Sequence, residues 1–124
     1  MAFETQADTI ASAVTVTAGA ADVTLPSATG IDTQLTQGGY IDITVTNGAT
    51  GPTLPCDIGI QVAESTTDTW ITVGDLLVAD LGNDIVTRFK VNIPTEAQNV
   101  RLLVGGNTAQ DVTISAAINS FKRA

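Results

Sequence analysis

The sequence predicts an all-β protein: a single antiparallel β-sandwich of roughly eight short strands with very little helix. Three observations support this fold class. Apolar and polar residues alternate in short runs, most clearly in residues 41–46, and a period of two is typical of a strand with one buried face. Turn residues such as Asn47-Gly48 separate these runs. Aromatic residues make up only 4% of the chain, so aliphatic side chains must fill the core, which suits two sheets packed face to face.

The strands are predicted in order from this alternation and from the turns between the runs. A first strand is expected at residues 9–17, and a short one at residues 23–25 ends at Pro26, because proline cannot continue a central strand. Residues 40–46 form the clearest strand. Residues 76–81 are apolar without alternation, which fits either a strand or a helical turn. The remaining strands are expected at residues 57–63, 70–73, 85–93, 99–104 and 111–118.

A chain of 124 residues suits one domain. Residues 1–8 show no sustained periodicity and are predicted to be a short N-terminal arm, whereas residues 9–124 form the sandwich. Both a jelly-roll and an immunoglobulin-like strand order fit this pattern. The alternation predicts the following core, with Phe89 as a central member: Ile41, Ile43, Val45, Ile58, Ile60, Val62, Phe89, Val91, Val100, Leu102, Val104, Val112 and Ile114.

The charge of the chain excludes several classes of partner. Thirteen acidic residues against five basic ones give a formal net charge of −8, which argues against binding to nucleic acid or to anionic membranes. The N-terminus lacks the basic and apolar regions of a signal peptide, and no apolar run is long enough to cross a membrane. We therefore expect a soluble protein that is synthesised in the cytoplasm.

The residues needed for catalysis are scarce. The chain has no histidine, which removes the commonest general base and the commonest metal ligand. Cys56 is the only cysteine, and the neighbouring Asp57 disfavours its thiolate. Glycosidase-type carboxylate pairs need clefts lined with aromatic rings, which this chain can hardly supply. We predict no enzymatic activity, no cofactor and no catalytic or metal site.

Two binding sites are weighed as alternatives. Asp80, Asn83 and Asp84 gather oxygen ligands near Gly82, as calcium prefers, but aspartate, asparagine and glycine are also ordinary turn residues. Trp70 and Tyr40 are the candidate platforms for a sugar ring, although a single tryptophan in a small sandwich usually belongs to the core.

The positions of the few cations predict a docking face. In residues 85–93, Arg88 and Lys90 alternate with apolar residues and so point outward. If the next strand pairs with this one through the turn at residues 94–98, Arg101 and Leu103 fall on the same outer face. These four residues would then form a docking face for an acidic partner or for a second copy of the chain. The alternative is ordinary decoration of a sheet surface.

The chain resembles the small β-sandwich proteins that decorate the capsids of tailed bacteriophages, the head-decoration or cement proteins. The resemblance rests on the threonine-rich strands at residues 14–17 and 43–46, on Trp70-Ile-Thr-Val, and on the C-terminal series at residues 89–94, 99–104 and 111–116. The resemblance implies a structural virion protein that binds the major capsid protein and stabilises the phage head, as a trimer or a dimer. It implies a location on the capsid surface after synthesis in the host cytoplasm. A phage fibre or receptor-binding domain and a carbohydrate-binding module remain alternatives.

Overall fold

The computed structural model describes residues 3–33, 36–64, 69–93 and 99–123 of the chain. These residues form nine strands and no helix. The strands are β1 (Phe3–Val16), β2 (Val23–Leu25), β3 (Ile31–Asp32), β4 (Thr36–Asn47), β5 (Asp57–Ala63), β6 (Ile71–Val78), β7 (Val86–Asn92), β8 (Asn99–Gly105) and β9 (Val112–Arg123). The all-β prediction is confirmed, and the apolar run at residues 76–81 lies partly in β6, as a strand.

The strands form two antiparallel sheets whose order is that of a jelly roll. The first sheet has the order β1-β9-β4-β7, and the second has the order β2-β8-β5-β6, with the short β3 also paired to β8. The first strand thus lies beside the last, and the chain changes sheet at every connection except those between β2 and β3 and between β5 and β6. This double winding is the jelly-roll arrangement, and it decides between the two orders that the sequence allowed.

The core lies between the two sheets and consists of aliphatic side chains. Ile41, Ile43 and Val45 of β4 are buried, as are Ile58 of β5 and Leu102 of β8. Every residue of the core predicted from alternation belongs to this cluster or packs against it. Phe89 is the main difference, because it is only half-buried. Its strand, β7, forms the edge of its sheet, so the expectation of a central position for Phe89 is wrong.

The N-terminal strand is longer than the sequence predicted. β1 starts at Phe3 rather than at residue 9. Its backbone pairs with β9, beginning with Phe3 opposite Arg123. Residues 3–8 are therefore part of the first sheet and not an arm outside it. The register of β1 shifts around Ala11, and Ala13 has a φ of 50°. This irregularity places both Ile10 and Ala11 in the core, which simple alternation cannot do.

One glycine in β4 explains how this strand approaches its neighbour. Gly39 has a φ of 135° and lies next to a register shift between β4 and β9. A Cβ atom there would collide with the backbone oxygen of Asn119. Only glycine allows this close approach without displacing β9.

Candidate docking surface

The four residues of the predicted docking face lie on two different sheets. Arg88 and Lys90 belong to β7, which pairs with β4, whereas Arg101 and Leu103 belong to β8, which pairs with β2, β3 and β5. The assumed pairing of these two strands is wrong, because in a jelly roll the chain crosses to the opposite sheet after β7. The four side chains therefore cannot form one patch in the way expected. That Arg88 and Lys90 bind a partner stays a prediction.

Arg88 and Lys90 extend from the outer face of the first sheet. Their partners across the strand pair are Thr44 and Asp42, which alternate with buried residues of β4 and so face outward. The Lys90 Nζ lies 4.1 Å from the centroid of the Tyr40 ring, a cation–π geometry. Both cations are exposed. The edge of the first sheet at β7 therefore presents two positive charges to solvent in a strongly acidic protein.

Contacts within the chain hold the Arg101 side chain in place. Its Nε donates a 2.8 Å hydrogen bond to the Gln61 Oε1, and its Nη1 donates a 2.6 Å hydrogen bond to the Ala28 carbonyl oxygen. The guanidinium lies 4.2 Å from the centroid of the Trp70 ring. Partial burial lowers the pKa of Arg101. Arg101 thus ties the loop before β3 to the outer face of the second sheet, and Gln61, which makes this possible, carries no signal in the sequence.

The two candidate sugar platforms are both in contact with cations of the same chain. Arg101 covers one face of the Trp70 ring, and Lys90 covers one face of the Tyr40 ring. Trp70 also lies so close to Gly30 that a Cβ atom there would be 2.8 Å from its Cη2. Trp70 is half-buried and supports the loop that it contacts. Neither ring therefore has both faces open for stacking on a sugar.

Cys56 and Asp57 both have raised pKa values. Burial, assisted by the charges of Asp57 and Asp22, raises the pKa of the Cys56 thiol to about 11, so its thiolate is scarcely populated at neutral pH. Burial raises the pKa of the Asp57 carboxyl, and the nearby Asp22 adds to this effect. Among the described residues, no histidine or lysine approaches either group in a hydrogen bond or ion pair that would activate it.

The polar residues after β6 support a turn. The Asn83 Oδ1 accepts a 2.8 Å hydrogen bond from the Gly51 N–H, and the Asp84 N–H donates to the Gly48 carbonyl oxygen at 2.8 Å. The Asn83 side chain therefore joins this turn to the loop that contains Gly51. Nowhere in the part of the chain that the structure describes do three acidic or cysteine side chains come close enough together to hold a metal ion.

Exposed aliphatic side chains are concentrated in one part of the sequence, and the alternation of the strands did not predict them. Nine large hydrophobic residues are exposed among the described residues, and six of them lie between residues 71 and 86. They are Ile71, Leu76, Val78, Leu81, Ile85 and Val86, and we call them the β6–β7 apolar rim. Ile71, Leu76 and Val78 belong to β6, Leu81 and Ile85 to the connection after it, and Val86 to β7, and these two strands end the two sheets. The lack of alternation in residues 76–81 was the available signal, since it indicates apolar residues on both faces of a strand.

None of the described residues forms a helix long and apolar enough to cross a membrane. No family model matches the sequence, and no curated protein matches it.

Solved structures of infectious bursal disease virus contain chains with a similar fold. A chain of the T13 viral particle matches with a TM-score of 0.60 and 17% identity, over 98% of this chain and 31% of that chain. A chain of the Gx strain matches with a TM-score of 0.57 and 16% identity, over 98% and 33%. The VP2 subviral particle matches with a TM-score of 0.56 and 16% identity, over 98% and 32%. The chain thus spans about a third of the viral chains that it matches, and its fold is a β-sandwich that occurs in proteins of viral particles.

Proposed function

We propose that this chain is a structural protein of a virion, and that it acts as a cement protein on a phage head. In this role it binds the major capsid protein at the outer surface of the head and stabilises the particle after synthesis in the host cytoplasm. The observation that carries the proposal is the fold itself: 98% of the chain aligns with part of a viral particle protein. The sequence resemblance to head-decoration proteins supports the finer assignment.

The surface of the molecule fits a role in binding. The β6–β7 apolar rim offers aliphatic side chains that a partner can bury; because each is already about half-buried, the remaining burial is worth about 1 kcal/mol per side chain. Arg88 and Lys90 stand beside the rim on β7, where charge can orient a partner and exclude unsuitable ones. Cys56 and Asp57, whose pKa values are raised, offer no activated nucleophile. We therefore propose that the protein acts by binding and not by turnover.

The proposal is tested by adding the purified protein to phage heads that lack it. We expect the protein to sediment with the heads to saturation and to raise the temperature at which they release DNA. The double variant Leu76→Ser/Val78→Ser tests the rim, because it removes two exposed rim side chains without opening the core. We expect this variant to fold and to bind the heads less tightly. A protein that sediments without the heads would contradict the proposal.

The alternative is a fibre or receptor-binding domain, and localisation separates the two functions. A decoration protein covers the head in many copies, whereas a receptor-binding domain lies at the tail tip and recognises cell-surface glycans. Immunogold labelling of intact virions decides between them. We further expect a trimer or a dimer, which analytical ultracentrifugation measures directly.

A further inference from the structure

The strand β7 has one hydrogen-bonding edge that faces no other described strand. It lies at the end of the first sheet and pairs only with β4 among the described strands. The two strands pair without a register shift from Val86, which lies opposite Thr46, to Asn92, which lies opposite Tyr40. An uninterrupted edge strand of this kind presents a regular row of unpaired backbone groups and can accept another strand.

The hydrogen bonds at both ends of β7 show which residues face that edge. The Ile85 carbonyl oxygen accepts a 2.9 Å bond from the Asn47 N–H, and the Ile93 N–H donates a 3.1 Å bond to the Gly39 carbonyl oxygen. In an antiparallel pair, residues alternate between facing the partner strand and facing away. The odd-numbered residues therefore bond to β4. The backbone groups of Val86, Arg88, Lys90 and Asn92 point to the open edge.

The other described edges are blocked. β6 has a register shift against β5, and Gly74 within it has a φ of 70°. β1 has two register shifts and the left-handed Ala13. β2 and β3 contain only three and two residues. Bulges and short strands are common ways of preventing edge-to-edge pairing, and β7 has neither.

The side chains of β7 define what an added strand should carry. Arg88 and Lys90 are exposed on the outer face, whereas Phe89 and Val91 face the core and are only half-buried, because the sandwich is open beside them. An added strand with acidic residues on its outer face would lie beside the two cations. Apolar residues on its inner face would complete the cover of Phe89 and Val91.

A second β7 is a poor occupant of this edge. Antiparallel pairing centred on Phe89 would place Arg88 opposite Lys90. A centre one residue earlier or later would place Arg88 opposite Arg88, or Lys90 opposite Lys90. Like charges directly opposite each other destabilise a strand pair, and two copies at −8 repel each other in addition.

We propose that the open edge of β7 binds an extended segment of a partner protein in which acidic and apolar residues alternate, and that this segment joins the first sheet as an added strand. The inference deepens the proposed function, because it names the chemistry of the capsid segment that would be bound. A test with a synthetic peptide keeps the two separate: loss of peptide binding overturns this inference, whereas failure to bind heads overturns the proposed function.

The probe is the labelled peptide Thr-Glu-Val-Glu-Ile-Glu-Val-Thr, with a control peptide in which lysine replaces each glutamate. We expect the acidic peptide to bind, with affinity that falls as salt is added, and the lysine peptide not to bind. Amide hydrogen exchange should slow at Val86, Arg88, Lys90 and Asn92. Equal binding of the two peptides, or protection confined to another strand, would overturn the proposal.

Two variants separate the contributions of the backbone and of the charges. Val86→Pro removes one edge-facing N–H but keeps both cations and the bonds to β4, and Val86→Ala controls for the lost side chain. We expect Val86→Pro, but not Val86→Ala, to weaken peptide binding about fivefold, as the loss of one hydrogen bond does. Arg88→Glu/Lys90→Glu should weaken it about tenfold or more.

A third variant, Arg88→Ser/Lys90→Ser, tests whether the cations serve only to keep the edge free. Removal of edge charges then promotes self-association. If this variant self-associates while the parent does not bind the acidic peptide, the cations only protect the edge and the proposal is wrong. Circular dichroism melting curves identify any variant that is unfolded, and hydrogen exchange on the parent protein tests the proposal without any substitution.

Discussion

Truncation of two side chains that face each other across β4 and β7 tests the position of each strand in the fold. Ile43 and Phe89 are direct partners in this strand pair. Ile43 is 1% exposed and lies on a strand flanked on both sides, whereas Phe89 is half-buried on an edge strand. The structure therefore predicts that the smaller side chain contributes more to stability than the larger one.

The magnitudes follow from burial. Ile43→Ala removes atoms from a closed core and should cost about 3–4 kcal/mol, within the range of about 2–5 for such changes. Phe89→Ala would cost about 3–5 kcal/mol in a closed core, but partial exposure should reduce this to about 2. A domain of this size has only about 5–15 kcal/mol in total, so Ile43→Ala should be much closer to unfolding.

Urea unfolding, followed by far-UV circular dichroism and by Trp70 fluorescence, measures both free energies. The dependence of the unfolding free energy on urea should be equal for the parent and both variants, which shows that the unfolded states are comparable. Ile43→Val is the control and should cost about 1 kcal/mol. If Phe89→Ala destabilises the protein more than Ile43→Ala, β7 is not an open edge and the reasoning fails.

Three further predictions concern the polar residues. Asp57→Asn should raise the melting temperature at pH 7 but not at pH 3, because a raised carboxyl pKa means that stability falls as pH rises through that pKa; an equal effect at both pH values would contradict this. Arg101→Lys should cost about 1–2 kcal/mol, since lysine cannot reproduce the paired hydrogen bonds, and should shift Trp70 fluorescence to the red; unchanged fluorescence would refute the stacking. Cys56 should react with a thiol reagent at the rate of unfolding, because its thiol is buried with a pKa of about 11; fast labelling of the native protein would refute its burial.

Alternation along the sequence was sufficient to predict the fold class and the core. It identified Ile43, Ile58 and Leu102 as core residues because a half-buried strand has a period of two wherever its register is regular. It failed where the register is irregular. The bulge near Ala11 buries two consecutive residues, and residues 3–8 are ordered by backbone pairing with β9, which leaves no hydrophobic pattern in the sequence.

The candidate surface was less predictable, because it depends on which strands are neighbours. Strands that follow each other in the sequence suggest a hairpin. On that assumption Arg88, Lys90 and Arg101 were predicted to share one outer face. In the jelly roll these residues lie on different sheets, and long-range winding of this kind has no local signature. The same winding makes β7 an edge, exposes part of Phe89, and gives the cations of this strand an open backbone beside them.

The proposal that this chain is a structural protein of a virion is tested most directly by quantitative mass spectrometry of virions purified by density gradient. We expect the protein in the particle fraction, in many copies relative to the tail proteins, and bound to heads from which tails have been removed. Recovery of the protein only from the soluble fraction would contradict a virion role, whereas recovery only with detached tails would contradict the head location and favour the receptor-binding alternative.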